Sequence, residues 1–316
     1  MNTPFALDGA VRLTHWGVLR ARGADAVKFL QGQLTNDVVA LGLSQVRLAG
    51  FCSAKGRLQA SFLVWKASED EVLLACSASV LPATLKRLSM FVMRAQCKLS
   101  DASAELQLWG VAGGAAQGLL EGAAVWDKRE AAGHTLIRWP DVAGVARCLL
   151  VVPDADALPA VLAAVPLTPL DAWRLLEVRS GVPMVEAATV DQFVPQMLNF
   201  ELLGGVDFRK GCYPGQEVVA RSQYRGTIKR RMFLFDIDAP AVPGQEVFHS
   251  ADPGQPAGLV VNAAPQGDGT GSSALVEVKL SALEGGELHL GAPTGAVLRP
   301  VELAYAIPTD AELPAP

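Results

Sequence analysis

Lys210-Gly211-Cys212-Tyr213-Pro214-Gly215-Gln216-Glu217 sets an amine, a thiol and a tight turn in one short stretch, and Arg221 follows a helical turn later. Tyr213 precedes a proline and is held away from helical geometry, while Pro214-Gly215 supplies the fixed φ and the permissive glycine of a turn. A helix is expected to start near Gln216. Its bare N–H groups, with Arg209 and Lys210, would lower the pKa of Cys212 and favour the thiolate. Cys212 and Lys210 are therefore the residues expected to carry chemistry. Gly211, Pro214 and Gly215 shape the turn, and Gln216 and Glu217 support the helix start.

The charge pattern points to the same segment. From Arg209 to Arg231 stand Arg209, Lys210, Arg221, Arg225, Lys229, Arg230 and Arg231 against the single acid Glu217, in a chain whose net charge is −5. Such a local field draws an anionic ligand or an acidic partner. The whole surface is not basic, so direct nucleic-acid binding is not expected; a nucleic-acid module acting through Arg209 to Arg231 would make phosphate contacts alone.

The elements that must position these groups read as follows. Gly23 to Ala40 is expected as a helix with Asp25 as N-cap and Val27, Leu30 and Leu34 in helical spacing. Arg47–Cys52, Leu58–Trp65 and Glu71–Cys76 read as strands, the second half-buried by its alternation of Leu58, Ala60, Phe62 and Val64. Leu81 to Ala95 reads as a second helix. A similar alternation follows: strands near Glu105–Val111, Thr135–Trp139 and Ala146–Val152, and helices near Ala155–Ala164 and Pro169–Ser180. Gly110 to Gly122 lacks the Lys-Ser/Thr of a phosphate loop and reads as a small-residue helix or turn. After Arg231, six short apolar runs separated by Pro/Gly turns predict a small antiparallel barrel or sandwich. The fold class is α+β, and the expected units are 1–100, 101–230, 231–308 and a loose tail, 309–316.

Composition narrows the function classes. At 316 residues, half of them apolar, the chain is long enough for two or three packed domains. No apolar run approaches a membrane span, and the N-terminus lacks a basic region followed by an apolar core, so a cytoplasmic protein without a membrane partner is expected. Cys52, Cys76, Cys97, Cys148 and Cys212 are odd in number and scattered, which fits a reducing compartment. With no Cys-x-x-Cys and isolated histidines, no bound metal is expected. A monomer is the default expectation.

Taken together, these residues resemble the YgfZ-type folate-binding proteins, relatives of the glycine-cleavage T protein (aminomethyltransferase). The markers are Phe29-Leu30-Gln31-Gly32-Gln33-Leu34-Thr35-Asn36-Asp37, Ala54-Lys55-Gly56-Arg57, Arg179-Ser180-Gly181-Val182-Pro183, Pro195-Gln196 with Asn199, and Lys210 to Glu217 with Arg221, Gly226 and Lys229-Arg230. The resemblance covers nearly the whole chain. It implies two ferredoxin-like α+β lobes and a C-terminal barrel around a central hole holding tetrahydrofolate or a derivative. It also implies that iron-sulfur client enzymes or assembly factors, including tRNA-modifying enzymes, are partners. Folate binding is assigned to Arg221, Arg225, Tyr213, Asn36 and Gln33, with the two arginines on the glutamate tail.

One departure from the T protein bears on activity. Its catalytic aspartate aligns with Ala60 and Ser61, neither of which can serve as a base or steady an iminium-like transition state. Its pterin-holding glutamate aligns near Ala143 to Arg147, where no carboxylate stands. The expectation is a folate-binding accessory protein without aminomethyltransferase activity; the alternative is a folate-dependent one-carbon transferase using a displaced carboxylate, with Asp37 the nearest candidate.

Overall fold

A computed structural model of the chain describes residues 8–153, 158–224, 228–267 and 269–308. The first elements are β1 (Gly9–Arg12), β2 (Trp16–Arg22), α1 (Ala26–Gln31), β3 (Val46–Cys52), β4 (Leu58–Ser68), β5 (Glu71–Ser77), α2 (Leu81–Val92) and β6 (Lys98–Asp101). Five of the strands form an antiparallel sheet in the order β3-β4-β5-β2-β6. β1 is the exception. It pairs with a strand of the next sheet, so the opening of the 1–100 segment is built into its neighbour.

That second sheet contains β7 (Leu106–Ala112), β8 (Lys128–Ala131), β9 (His134–Val142) and β10 (Val145–Pro153), in the order β1-β7-β10-β9-β8. The Gly/Ala stretch supplies α3 (Gly114–Leu119). Of the helix expected over Ala155–Ala164, the described residues hold one 3-10 turn, Ala160–Leu162. α4 (Leu170–Arg179) and α5 (Gln216–Tyr224) follow, the second starting where the Pro-Gly turn predicts.

The six runs after Arg231 become β11 (Arg230–Ile237), β12 (Glu246–His249), β13 (Asp252–Pro265), β14 (Ser272–Lys279), β15 (Leu288–Leu290) and β16 (Leu298–Val301). They form one antiparallel sheet, β15-β12-β13-β14-β11-β16. It curls until its outer strands meet at a single bridge, His289 with Val297.

Two sequence expectations are corrected. The helix over Gly23–Ala40 shrinks to α1 because it is capped at Gly32 and Leu34 bridges to Phe51. Asp25 caps nothing with its side chain; its carboxylate accepts the Gln96 N–H at 2.8 Å instead. Nor is β4 half-buried. Ala60, Phe62 and Val64 pack under α1 and α2, while Leu58, Leu63 and Trp65 enter a second core shared with the other two sheets. A strand covered on both faces loses the polar alternation that marks a solvated side.

The shared core joins Trp65 from the first sheet, Trp139 and Leu149 from the second, Trp173 and Leu176 from α4, and Met232 and Leu275 from the third. Gly110 makes it possible: a Cβ there would lie 2.5 Å from the Trp173 ring, so only glycine lets α4 seat its indole on β7. The three sheets thus face a common centre, where the cavity described below lies.

Candidate functional site

Three of the sequence markers, 29–37, 54–57 and 210–217, meet beside the first sheet. The 204–210 segment is stitched to the chain after α1. Thr35 Oγ1 donates to Gly205 O (2.6 Å) and accepts from the Gly50 N–H (2.7 Å). Asn36 Nδ2 donates to Leu48 O (2.7 Å) and Gly204 O (2.6 Å), so its amide protons are committed to backbone. Lys210 Nζ reaches the carbonyls of Gln31 and Leu34 (2.6 Å to the latter), at the C-terminal end of α1 where the helix dipole favours a cation. Burial pushes this ammonium down to about 8, against the pull of Asp37, Asp207 and Cys212.

Tyr213 is buried, with Lys210 Nζ 5.1 Å from its ring centroid, and desolvation raises its phenol. Gln33 is half-buried and its Oε1 has no partner. Cys212 is exposed, while Cys52, Cys76, Cys97 and Cys148 are buried. Burial drives the thiols of Cys52, Cys76 and Cys148 up to about 12. Cys212 is therefore the thiol open to reagents. The helix start beside it is less bare than the sequence suggests, since the N–H groups of Gln216 and Val218 donate to Tyr213 O and Gly215 O.

Gly215 joins the signature to the Ala54-Lys55-Gly56-Arg57 turn. Its φ is +80°, and a Cβ would lie 2.4 Å from Ser53 O and 2.6 Å from Gly56 Cα. Two glycine backbones in contact leave no room for a side chain on either. Gly215→Ala is expected to destabilise the protein by roughly 2–4 kcal/mol, combining left-handed strain with overpacking. Gly211→Ala, with nothing within 4 Å, is the control. Urea unfolding that moved both midpoints equally would refute the contact.

The basic block is dispersed by folding. Arg230 pairs with Glu277, and Arg231 is buried against Glu201, each at short range. Lys210 is engaged as above, and Arg225 lies outside the described residues. Arg209, Arg221 and Lys229 stay exposed, Arg221 in an i,i+4 pair with Glu217 at 2.9 Å. A single strong anion-attracting field is therefore not what the surface presents.

The other candidate lies where the three sheets meet. A cavity of ≈ 30 Å³ is lined by Trp16, Leu48, Ser61 to Leu63, Trp139, Arg174, Glu177, Val178, Val182 to Met184, Glu186, Asn262 and Ala263. Cys212, Lys210, Tyr213, Arg221, Asn36 and Gln33 do not line it. Glu177 is its hub. Oε1 accepts from Trp16 Nε1 (2.7 Å) and Trp173 Nε1 (2.8 Å), and Oε2 meets His15 Nε2 at 2.8 Å. Burial alone would raise this carboxyl, but His15 and the two indoles outweigh it and hold it below the ordinary range.

Behind it, the fully buried Arg147 lies between Trp139 and Trp173, its Cζ 6.0 and 5.5 Å from the ring centroids. Nε and Nη2 donate to Pro140 O, while Nη1 and the Trp139 Nε1 have no partner. Ser61 occupies the cavity wall, its hydroxyl accepting the Val185 N–H at 2.9 Å, whereas Ala60 faces the opposite core. Arg174 is half-buried at the same wall with no ion pair among the described residues.

Two larger hollows adjoin this cavity. One of ≈ 300 Å³ shares Trp16 with it, and one of ≈ 550 Å³ shares Leu48 and is lined by Asn36, Arg47, Trp126, Asp207, Arg209 and Tyr224 among others. The sequence reading passed over His15, Trp16, Trp173 and Glu177. One signal was available: Trp173 and Glu177 are four apart on one helix and so share a face. Among the described residues no group of three or more His, Cys, Asp or Glu could hold a metal, and no helix is long and apolar enough to cross a membrane.

Comparison with known proteins bears on both places. The family model of the GCVT N-terminal domain matches residues 9–151. The chain is 33% identical over 248 residues to the tRNA-modifying protein YgfZ of Edwardsiella ictaluri, spanning 74% of this chain and 72% of that one. To the protein of the same name from Serratia proteamaculans it is 31% identical over 272 residues, 82% of this chain and 81% of the other. Among solved structures, glycine cleavage system aminomethyltransferase T from Bartonella henselae superposes with a TM-score of 0.74 over 95% of this chain and 87% of that one, at 17% identity. That likeness is one of fold.

Proposed function

The chain belongs to the YgfZ family, and from that premise we propose that it binds a reduced folate at the three-sheet junction and supports tRNA modification as an accessory to iron-sulfur enzymes. The observation that carries the site is the cluster of Trp16, Trp139 and Glu177 lining the central cavity, with Trp173 bonded to Glu177 from outside the lining. A pterin is a flat ring edged with donors and acceptors, and it suits indole walls with a few fixed polar groups. The residues present fit that chemistry: Trp139 Nε1 is an orphaned donor, the Ser61 hydroxyl still has a proton to give, and Arg174 is an unpaired cation for a folate carboxylate. The free space of ≈ 30 Å³ holds about one water. A ring is therefore admitted by displacement of Met184 and Arg174, long side chains that rearrange at low cost.

Bound folate would supply a carrier for a one-carbon unit. The protein's own groups bind and orient it; among the described residues the carboxylates lining the cavity are Glu177 and Glu186, the second accepting from Asn262 Nδ2 at 2.8 Å. Ser61, which the sequence alignment sets opposite the T protein's aspartate, stands at the cavity wall. Glu177 is held ionised by three donors, which lowers its proton affinity. Asp37, the displaced carboxylate considered above, is outside the cavity lining, and its Oδ1 accepts the Ala40 N–H at 2.9 Å. Cys212, exposed at the converged markers, is the thiol available for any covalent step with a client.

Anaerobic calorimetry with tetrahydrofolate tests this reading. One-site binding is expected, weakened at least tenfold by Arg174→Ala, the loss of a charge-assisted hydrogen bond of roughly 1.5–3 kcal/mol. Cys212→Ala should bind as the parent does. Saturable binding indifferent to Arg174 would move the folate elsewhere, and no binding at all would remove the proposal.

A further inference from the structure

α2 buries Leu81, Thr84 and Leu88 and leaves its other face in solvent. On that face Met90 is 67% exposed, Phe91 42% and, just past the helix end, Met93 87%. Met93 has φ 44° with ψ −103°, a positive-φ backbone conformation that a side chain adopts at a cost. Four cations frame these residues: Lys86, Arg87, Arg94 and Lys98, all exposed and none in an ion pair among the described residues. Between Val80 and Lys98 there is no acid, in a chain whose net charge is −5. Lys86 lies one turn before Met90, and Arg87 one turn before Phe91, so charge and apolar surface alternate on one strip.

Neither feature stabilises the fold. Exposed apolar side chains and uncompensated cations are what a binding surface carries at its own cost to the free protein. Methionine, phenylalanine and arginine are types enriched at protein interfaces, and a cationic rim favours a partner of complementary, acidic charge. RNA would be met through phosphates and stacking, to which two methionines add nothing. A bilayer would meet a strip one helix face wide, its other side already packed on the sheet.

We propose that the exposed face of α2 docks an acid-rich protein, with Met90, Phe91 and Met93 at the centre of the contact and the four cations at its rim. That this protein is the iron-sulfur or tRNA-modifying enzyme served by the chain rests on the function proposed above; the surface itself does not.

The test uses the full chain in cells lacking their own copy. Lys86→Glu/Arg87→Glu and Met90→Glu/Met93→Glu should each lower modified-nucleoside content of tRNA at least tenfold toward the deleted strain, while folate affinity and Tm of the purified variants match the parent. A photo-reactive benzoylphenylalanine at Phe91 should cross-link to an acidic iron-sulfur protein, and the Lys86/Arg87 change should abolish the product. Modification at the parental level in both variants would overturn the proposal. So would parental binding to vesicles of equal phosphatidylglycerol and phosphatidylcholine, or to unmodified tRNA, that the same variants lose. If the parent chain fails to restore modification, the functional reading fails. The surface is then judged by cross-linking alone: a charge-dependent acidic partner supports it and no product removes it.

Discussion

Glu177→Gln is expected to lower stability by about 3–5 kcal/mol and to abolish folate binding, the largest loss from a single atom-for-atom change in this protein. The carboxylate takes three donors on two oxygens, from His15, Trp16 and Trp173. An amide keeps Oε1 for the two indoles but turns its protons toward His15 Nε2, which can accept one only by changing tautomer and then loses its charge. It also removes a negative charge facing the buried Arg147 guanidinium, whose cationic form burial already disfavours. Thermal unfolding should show a fall on the order of 10 °C.

The pH dependence identifies the cause. A carboxyl held below its ordinary value contributes stability that is present above about 4.3, the unfolded value, and lost as pH falls through the folded one. The gap between parent and variant should therefore be widest at neutral pH and close in acid. A variant with the parent's Tm at pH 7 would show that the cluster does not hold the junction together.

Arg231→Met should cost a similar 3–5 kcal/mol, for a different reason. Arg231 and Glu201 have side chains 3% and 4% exposed, and Arg231 Nη1 also reaches Gln196 O (3.1 Å) and Asn199 Oδ1 (3.4 Å). Asn199 in turn donates to Met232 O at 2.7 Å, and Gln196 Nε2 to Val219 O of α5 at 2.8 Å. This cluster ties the third sheet to the helix behind the signature. Removing the cation strands a carboxylate whose second oxygen already has no partner.

Burial already raises the Glu201 carboxyl despite Arg231, and the variant should raise it further. For an acid raised on folding, stability falls as pH climbs from about 4.3 through the folded value, so the variant should be more stable at pH 5 than at pH 7.5. Arg231→Met/Glu201→Leu should recover most of the loss, because an apolar pair leaves nothing charged in the core. A double variant no better than the single one would mean that packing, not charge, is at stake.

Much of the fold was legible in the chain because local chemistry specified it. The Pro214-Gly215 turn led into a helix at Gln216, as proline geometry and a permissive glycine require. The six apolar runs after Arg231 became six strands because glycine or proline stands in four of the five links between them; the β12–β13 link, Ser250-Ala251, has neither, and Pro253-Gly254 lies within β13. Legibility failed where a distant segment outbid the local signal. The helix over Gly23–Ala40 stopped at Gln31 because the residues after Gly32 found partners in β3 and in the 204–210 segment. The alternation of β4 misread its exposure because both of its faces are covered.

The site divided in the same way. Sequence alone determined the signature surface, since Lys210, Cys212, Tyr213 and Gly215 are neighbours along the chain and their turn is a local event; it also determined membership of the family. Only the tertiary structure decided that Lys210 caps α1, that Gly215 rests on Gly56, and that Arg230 and Arg231 are neutralised by Glu277 and Glu201. It alone assembled the central cavity, bringing Trp16, Ser61, Trp139 and Glu177 together from two sheets and a helix. Contacts across more than a hundred residues leave no periodicity in the chain, because burial selects partners by where the sheets meet and not by their spacing in sequence.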